Sequence, residues 1–231
     1  MTEAIDPSVT LIAQSSSPVP AIARWPWALP VAATCIGWLS MLVLSHGEGR
    51  GHLHHLLVVT AMSVAMMSPL AIPLCVTAAR SSLWSTATRC VVVGFAAFVG
   101  AWIATGAVLH LLTEVAIAIA TPGAVVFVLA AWCAIDVMSR RRAARLTACA
   151  VTRPLFPRSS TVRVADLGVV AASRCMATCW APMALAVAQP GLAVPVSGVI
   201  VLERLITPRP RWSMVIAYGL GAAWGLASIW R

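Results

Sequence analysis

The sequence contains no lysine, and only 10% of its 231 residues are charged. All 16 basic side chains are arginines, and they cluster between long apolar runs, where basic residues set the topology of a membrane protein. This distribution argues against a nucleic-acid partner. The P-loop, the dinucleotide-binding fingerprint and the hydrolase triad are also missing from the sequence, so we expect no enzymatic activity.

Hydrophobic residues make up 60% of the chain, which predicts an all-α, polytopic helical membrane bundle. Backbone polar groups in lipid must be hydrogen-bonded internally, so the spanning segments should be helices. We expect about seven of them, at residues 27–45, 56–78, 90–112, 122–138, 167–188, 191–206 and 212–230. The fourth and sixth are of marginal length, and six spans is the alternative.

The N-terminal residues 1–24 are polar and rich in proline and serine, and they lack the basic start and apolar centre of a signal peptide. We interpret them as a disordered cytoplasmic tail, and residues 25–231 as a single transmembrane domain. With the N-terminus inside, nearly all arginines fall on the cytoplasmic side, including those of an Arg-rich loop at 139–164. This arrangement predicts a multi-pass protein of the cytoplasmic membrane.

The fifth apolar segment contains two cysteines, Cys175 and Cys179, four residues apart. Side chains at this spacing share one face of a helix, and their Cβ atoms, roughly 5–6 Å apart, are too distant for a disulfide. The chain has 7 cysteines, an odd number lying mostly in apolar segments, which favours free thiols or metal ligands over a disulfide framework. We therefore predict two soft metal ligands inside the membrane, whose affinity should rise with pH because the thiolate binds the metal.

The second apolar segment contains three methionines and two prolines, at Met62, Met66, Met67, Pro69 and Pro73. A helical rise of about 1.5 Å per residue puts Met67 level with Cys175. Each proline removes a helical hydrogen bond, as Pro182 does in the fifth segment, so kinks are expected beside the sulfur atoms. The thioethers are candidate ligands, although a methionine in a membrane helix is more often a packing residue.

The five histidines all fall on the predicted outer side. Candidate ligands in the first outer loop, residues 46–55, are His46, Glu48, His52, His54 and His55. His110 lies at the outer end of the third segment, with Glu114 one turn further on. Imidazole and carboxylate together suit Zn, Cu, Ni or Fe, so we predict metal capture here, although the spacing matches no standard zinc motif. The alternative is a polar loop that happens to be rich in histidine.

Four charged residues lie in the apolar segments or at their inner ends: Arg174, Glu203, Asp166 and Asp136. A charge in the membrane is costly without a partner, so we expect Arg174 to pair with Glu203 or Asp166. A role in ion passage and a structural ion pair that fixes helix packing are equally open.

Four short runs resemble, in the same order, the signature of a bacterial family of predicted metal-binding integral membrane proteins with AMM-x-P and C-L-G-C-C-W-x-L-M motifs. They are AMMSP at 65–69, CAVTRP at 149–154, CMATCWAPM at 175–183 and Glu-Arg at 203–204. Thr152 and Thr178 stand where the family has cysteine, so this chain is a divergent member. The resemblance implies a place in the bacterial inner membrane. The residues that match the family's motifs, and that the resemblance implies as functional, are Met66, Met67, Cys149, Cys175, Cys179, Met183 and Glu203.

Three functions are compatible with these patterns. We favour a metal-handling membrane protein for transport, storage or delivery to a metal-receiving partner, with copper as the metal because soft sulfur selects Cu(I). The alternative is a non-catalytic accessory or assembly subunit of a membrane complex, favoured by the loss of two family cysteines. Third is a membrane thiol redox or haem protein, although His110 alone approaches the membrane.

Overall fold

The computed structural model describes residues 24–46, 51–139, 160–205 and 212–229, and every regular element in these ranges is helical. The α-helices in these ranges are α1 Ala28–Ser45, α2 His52–Met67, α3 Ile72–Ser81, α4 Trp84–Ile119, α5 Pro122–Met138, α6 Thr161–Ala188, α7 Ala193–Leu205 and α8 Trp212–Ile229. Two 3₁₀ segments, Ser68–Ala71 and Pro190–Leu192, join α2 to α3 and α6 to α7. The all-α prediction is confirmed for this part of the chain.

Three helical stretches are long and apolar enough to cross a membrane. They are His52–Ser81, which runs through α2 and α3, Ser85–Ile119 in α4, and Thr161–Ala188, with 30, 35 and 28 residues. Shorter apolar helices lie at Ala28–Leu44, Pro122–Met138 and Pro190–Val201. These lengths support a membrane protein, while the number of spans stays a prediction.

The starts of α5 and α6 are set by local capping. The Thr121 hydroxyl accepts a hydrogen bond from the Ala124 amide at 3.3 Å, and Pro122 occupies the first turn of α5. In the same way, the Ser160 hydroxyl accepts from the Arg163 amide at 3.4 Å. Hydroxyl caps satisfy amides that have no partner inside the helix, so both helices begin where these residues stand.

Helices α4 and α6 are longer than the apolar segments predicted for them, residues 90–112 and 167–188. Helix α4 extends beyond residues 90–112 at both ends, and α6 begins before residue 167. The added turns include Arg89, Glu114 and Arg163. Hydropathy marks the part of a helix that suits lipid, whereas backbone hydrogen bonding continues into polar surroundings.

The predicted outer loop at 46–55 is partly wrong. Helix α2 begins at His52, after Gly51 in an extended conformation. The Gly51 carbonyl accepts hydrogen bonds from the amides of His54 and His55, at 3.0 and 3.3 Å. Three of the four histidines in that segment therefore belong to the first turn of a helix, which gives them defined positions.

The predicted break in the second apolar segment is confirmed. The 3₁₀ segment Ser68–Ala71 follows directly after Met67 and contains Pro69, and Pro73 lies in the first turn of α3. Prolines lack the amide hydrogen that would continue the α-helical ladder, and a tighter turn takes its place. Helix α6, in contrast, stays helical across Pro182.

Helices α4 and α6 run parallel and in close contact. A Cβ atom on Gly168 would lie 2.5 Å from the Gly94 carbonyl oxygen, and one on Gly94 would lie 2.9 Å from Val164 Cγ1. Further along both helices, the Thr105 hydroxyl donates to the Ala101 carbonyl oxygen at 2.9 Å and lies in contact with the Met176 sulfur at 3.2 Å. Residue numbers rise together along the two helices, so Cys175 is level with Thr105.

The path through α2 and α3 runs antiparallel to α4. A Cβ atom on Gly94 would lie 4.0 Å from Leu74 Cγ, and one on Gly106 would lie 2.5 Å from Ser63 Oγ. The numbers along α2 and α3 therefore fall as those along α4 rise. This places the middle of α2 level with the middle of α6, which is where the candidate sulfur ligands lie.

The remaining contacts complete the bundle. Helix α1 lies so close to α2 that a Cβ atom on Gly37 would be 2.7 Å from the Ala65 backbone nitrogen. Helix α5 packs along α8 and also contacts α6. The buried apolar residues form one continuous cluster that includes Met66, Trp102 and Cys179.

Candidate functional site

The two cysteines of α6 form a close, buried pair. Cys175 is 3% exposed and Cys179 is 1% exposed. Their sulfur atoms are 3.7 Å apart. The prediction that they share one helix face is therefore confirmed.

Thr178 joins this pair in a directed hydrogen-bond network. Its hydroxyl donates to the Cys175 carbonyl oxygen at 2.8 Å and lies 3.5 Å from the Cys179 sulfur. A hydroxyl has one hydrogen to donate, so the thiol of Cys179 is the donor in the second contact. The Cys175 thiol in turn donates to the Cys179 sulfur.

The sulfur separation sets the coordination that the pair can offer. A metal ion bound at about 2.3 Å from each thiolate would see two sulfur atoms 3.7 Å apart at an angle of about 107°. A linear arrangement at the same bond length would need a separation of about 4.6 Å. The pair as it stands therefore suits three or four ligands around the ion, with one or two supplied from elsewhere.

Buried methionines lie at the same height as the thiols. Met62, Met66, Met67 and Met183 are all buried in the continuous apolar cluster. Ser63 contacts α4 at Gly106, next to Thr105, so Met62 and Met66 lie within about one helical turn of the height of Cys175. The sequence-based expectation that these sulfur atoms share one depth agrees with the packing.

Gly106 allows α2 and α6 to meet at this level. A Cβ atom there would lie 2.5 Å from Ser63 Oγ, 3.2 Å from Val59 Cγ1 and 3.6 Å from Met183 Cε. The methyl end of Met183 on α6 therefore reaches the place where α4 touches α2. The absence of a side chain on Gly106 makes room for a thioether between the helices.

A second polar group lies at the predicted outer end of α4. The Nε2 atom of His110 is 3.4 Å from Glu114 Oε1, and the Nδ1 atom of His52 is 3.7 Å from the same oxygen. The rings of His55 and His110 are stacked with centroids 6.1 Å apart. Nε2 of His110 is buried and makes no hydrogen bond within the described ranges. The structure thus brings together three of the predicted histidines, from two helices.

The other predicted outer residues are placed differently. Nδ1 of His46 lies 2.7 Å from the Leu42 carbonyl oxygen of its own helix. His54 lies beside His55, with ring centroids 6.1 Å apart. Glu48 and Cys149 fall outside the described residues.

The charged residues differ in burial. Glu203 is 4% exposed, and Arg174 is half-buried on α6. Asp136 is half-buried and accepts a hydrogen bond from the Ser139 hydroxyl at 3.5 Å. Asp166 is exposed near the start of α6. The pairing of Arg174 stays a prediction.

Within the described ranges, no three His, Cys, Asp or Glu side chains come together in an arrangement that could hold a metal ion. A metal centre here would need ligands of another type beside the cysteine pair. Thioether sulfur is the candidate that the buried methionines offer.

Comparison with protein-family models, with curated proteins and with solved structures gives no match to this chain. The motif resemblance therefore stays an expectation.

Two features of the site were missed from the sequence. The resemblance to the family marks Thr178 as the loss of a cysteine ligand, yet its hydroxyl hydrogen-bonds within the thiol pair. Met176 is not among the predicted site residues, although its sulfur lies 3.2 Å from the Thr105 hydroxyl. The first was foreseeable, because a threonine hydroxyl in a helix commonly bonds a carbonyl one turn back. The second depends on how α4 packs against α6.

Proposed function

We propose that this protein is a multi-pass protein of the bacterial cytoplasmic membrane, with its N-terminus inside, that handles a soft transition metal, most favourably Cu(I). In this proposal the thiol pair of α6 holds the ion within the membrane, and the outer histidines capture it. The likeness of the motifs to predicted metal-binding membrane proteins belongs to the same proposal. Transport, storage and delivery to a partner protein are all compatible with it.

The observation that carries the proposal is the buried thiol pair with its sulfur atoms 3.7 Å apart. That distance favours a site with three or four ligands, and in this proposal the buried methionines supply the others. Zinc in proteins is bound by cysteine, histidine and carboxylate, whereas thioether together with thiolate selects Cu(I). Copper is therefore favoured by the chemistry of the available ligands.

The outer cluster supplies the second part of the proposal. His52 and His110 each lie near Glu114, and although the three do not form a closed ligand set, imidazole and carboxylate bind harder ions than the inner thiols do. His52 and Glu114 are accessible, whereas His110 is buried against the helices. We assign this cluster the role of first contact with the metal; copper that arrives as Cu(II) must be reduced to Cu(I) by an external one-electron reductant before the thiols hold it.

The decisive experiment measures Cu(I) stoichiometry and affinity on the detergent-purified full chain, under reducing conditions, by competition with a chromophoric Cu(I) chelator. We expect one tightly bound Cu(I) in the wild type and none in the Cys175→Ser/Cys179→Ser double variant. Replacing Met66 or Met183 by leucine should weaken binding, because the swap conserves volume but removes sulfur.

Matched controls separate ligand loss from misfolding. Cys90→Ser/Cys133→Ser removes two other buried thiols and should leave Cu(I) binding unchanged, as should Met138→Leu at an exposed methionine. Unchanged copper stoichiometry in the Cys175→Ser/Cys179→Ser variant would rule out the membrane sulfur site. No metal under any condition, together with a reproducibly co-purifying membrane protein, would instead favour the accessory-subunit function.

A further inference from the structure

A cavity that is separate from the sulfur site lies where the chain enters α1 and passes from α3 to α4. Its volume is about 480 Å³, and its lining includes Arg24, Trp25, Trp27, Arg80, Ser82 and Ala87. The turn before α1 is held by hydrogen bonds from the Ala28 amide to the Trp25 carbonyl, at 2.9 Å, and from the Val31 amide to the Trp27 carbonyl, at 3.1 Å. Arg24, the residue just before this turn, lines the same cavity as Arg80.

The electrostatics of this cavity favour an anion. Its two charged lining residues, Arg24 and Arg80, carry permanently positive guanidinium groups. The serines at the end of α3 turn their hydroxyls onto nearby carbonyls: Ser82 donates to Ala78 at 2.7 Å, and Ser81 donates to Thr77 at 2.8 Å. These bonds satisfy carbonyl oxygens that would otherwise repel an anion.

The start of α4 adds to the positive electrostatic potential in this cavity. Leu83 precedes the helix and gives no side-chain cap to its first amides, and Ala87 in the next turn lines the cavity. Uncapped amides at a helix start carry partial positive charge. Guanidinium groups offer paired N–H donors that match phosphate oxygens.

The aromatic residues place this cavity at a membrane surface. Trp25 and Trp27 are exposed, and their rings lie edge to face with centroids 5.6 Å apart. Tryptophan concentrates at the level of lipid headgroups, where its apolar ring and its N–H group are both satisfied. The cavity also lies at the end of His52–Ser81, one of the helical stretches long enough to span the bilayer.

We propose that this cavity binds the phosphate group of an anionic membrane lipid, with Arg24 and Arg80 as its two phosphate-binding residues. Basic pockets between membrane helices commonly take anionic headgroups. Free inorganic phosphate offers the same oxyanion chemistry, so the experiment must distinguish these two sources. This lipid site does not depend on the metal-handling function.

The test is native mass spectrometry of the detergent-purified full chain with phosphatidylglycerol, phosphatidylcholine or inorganic phosphate added. Wild-type protein should retain phosphatidylglycerol over phosphatidylcholine, and millimolar inorganic phosphate should not displace it. Each of Arg24→Gln and Arg80→Gln should weaken phosphatidylglycerol binding by about fivefold, the effect of one arginine near the surface. Arg24→Lys/Arg80→Lys keeps both charges and should retain most of the binding.

Arg163→Gln is the matched control, since it removes an exposed arginine that does not line the cavity. The proposal fails if both cavity variants keep wild-type preference for phosphatidylglycerol, or if Arg163→Gln loses as much. Displacement by inorganic phosphate would overturn the lipid assignment in favour of a free-phosphate site. Thermal unfolding of each variant establishes that it is folded, and the lysine variant tests charge where glutamine destabilises the chain.

Discussion

The hydroxyl of Thr178 lies 3.5 Å from the sulfur of Cys179, and both side chains are buried. In this contact the thiol is the donor, because the hydroxyl hydrogen is already bonded to the Cys175 carbonyl oxygen. A cysteine at position 178 would put a third sulfur beside the existing pair. The two thiols of this chain are thus one substitution away from a three-thiol cluster.

We predict that Thr178→Cys increases the affinity for Cu(I) and adds a tight Zn(II) site at the thiol pair, beyond any Zn(II) bound at the outer histidines. A third thiolate completes a ligand set that zinc accepts, whereas the wild-type pair would depend on thioethers. The measurement is parallel Cu(I) and Zn(II) competition titration of the purified variants.

Ser173→Cys is the control for this substitution, since Ser173 is exposed on the same helix and its hydroxyl bonds the Val170 carbonyl. An added thiol there should leave both affinities at wild-type values. If Thr178→Cys and Ser173→Cys behave alike, the buried pair does not organise a metal centre.

The helices of this protein were largely predictable from hydropathy, and their ends were not. Helix α5 occupies the predicted residues, because an apolar run closed by a capping threonine is a local signal. Helix α4 is longer than predicted. Its outermost turns contain Arg89 and Glu114, and hydropathy assigns such polar turns to a loop. Polar residues end the lipid-facing part of a helix without ending its hydrogen bonding.

The candidate site was likewise predictable only in part. The closeness of Cys175 and Cys179 follows from helical spacing alone, because both belong to one helix. The meeting of His52 with Glu114 depends on the antiparallel register of α2 and α4. The close contact at Gly106 fits that register, and a single sequence gives no sign of which glycines face a neighbouring helix.

Alanine substitutions at three glycines should change the free energy of unfolding by graded amounts. Gly168→Ala should destabilise most, by about 1–3 kcal/mol, because its Cβ would lie 2.5 Å from a backbone oxygen of Gly94, which cannot rotate away. Gly106→Ala should cost less, since the nearest atom is the Ser63 hydroxyl oxygen, which can change rotamer. Gly100→Ala has nothing within 4 Å and should be neutral or stabilising by up to about 1 kcal/mol.

Thermal unfolding of the three variants in the same detergent tests this order. Combining Gly106→Ala with Ser63→Ala removes the closest contact and should recover part of the lost stability. An equal loss for Gly100→Ala and Gly168→Ala would contradict the parallel packing of α4 on α6, because only Gly168 lies in that contact.

The outer histidines give a prediction that separates metal capture from metal storage. Under non-reducing conditions, His110→Ala and Glu114→Gln should each weaken Cu(II) binding by at least about tenfold, the effect that even a partner of a ligand can have. Isothermal titration with Cu(II) makes the measurement.

His46→Ala is the internal control, because Nδ1 of His46 lies 2.7 Å from a carbonyl of its own helix rather than in the cluster around Glu114. It should bind Cu(II) as the wild type does. In the same proteins after reduction, Cu(I) stoichiometry should stay at the wild-type value, since the thiols of α6 are untouched. A parallel loss of Cu(II) and Cu(I) binding in His110→Ala would mean that the two clusters form one site, and equal effects of His46→Ala and His110→Ala would remove the capture role from the cluster.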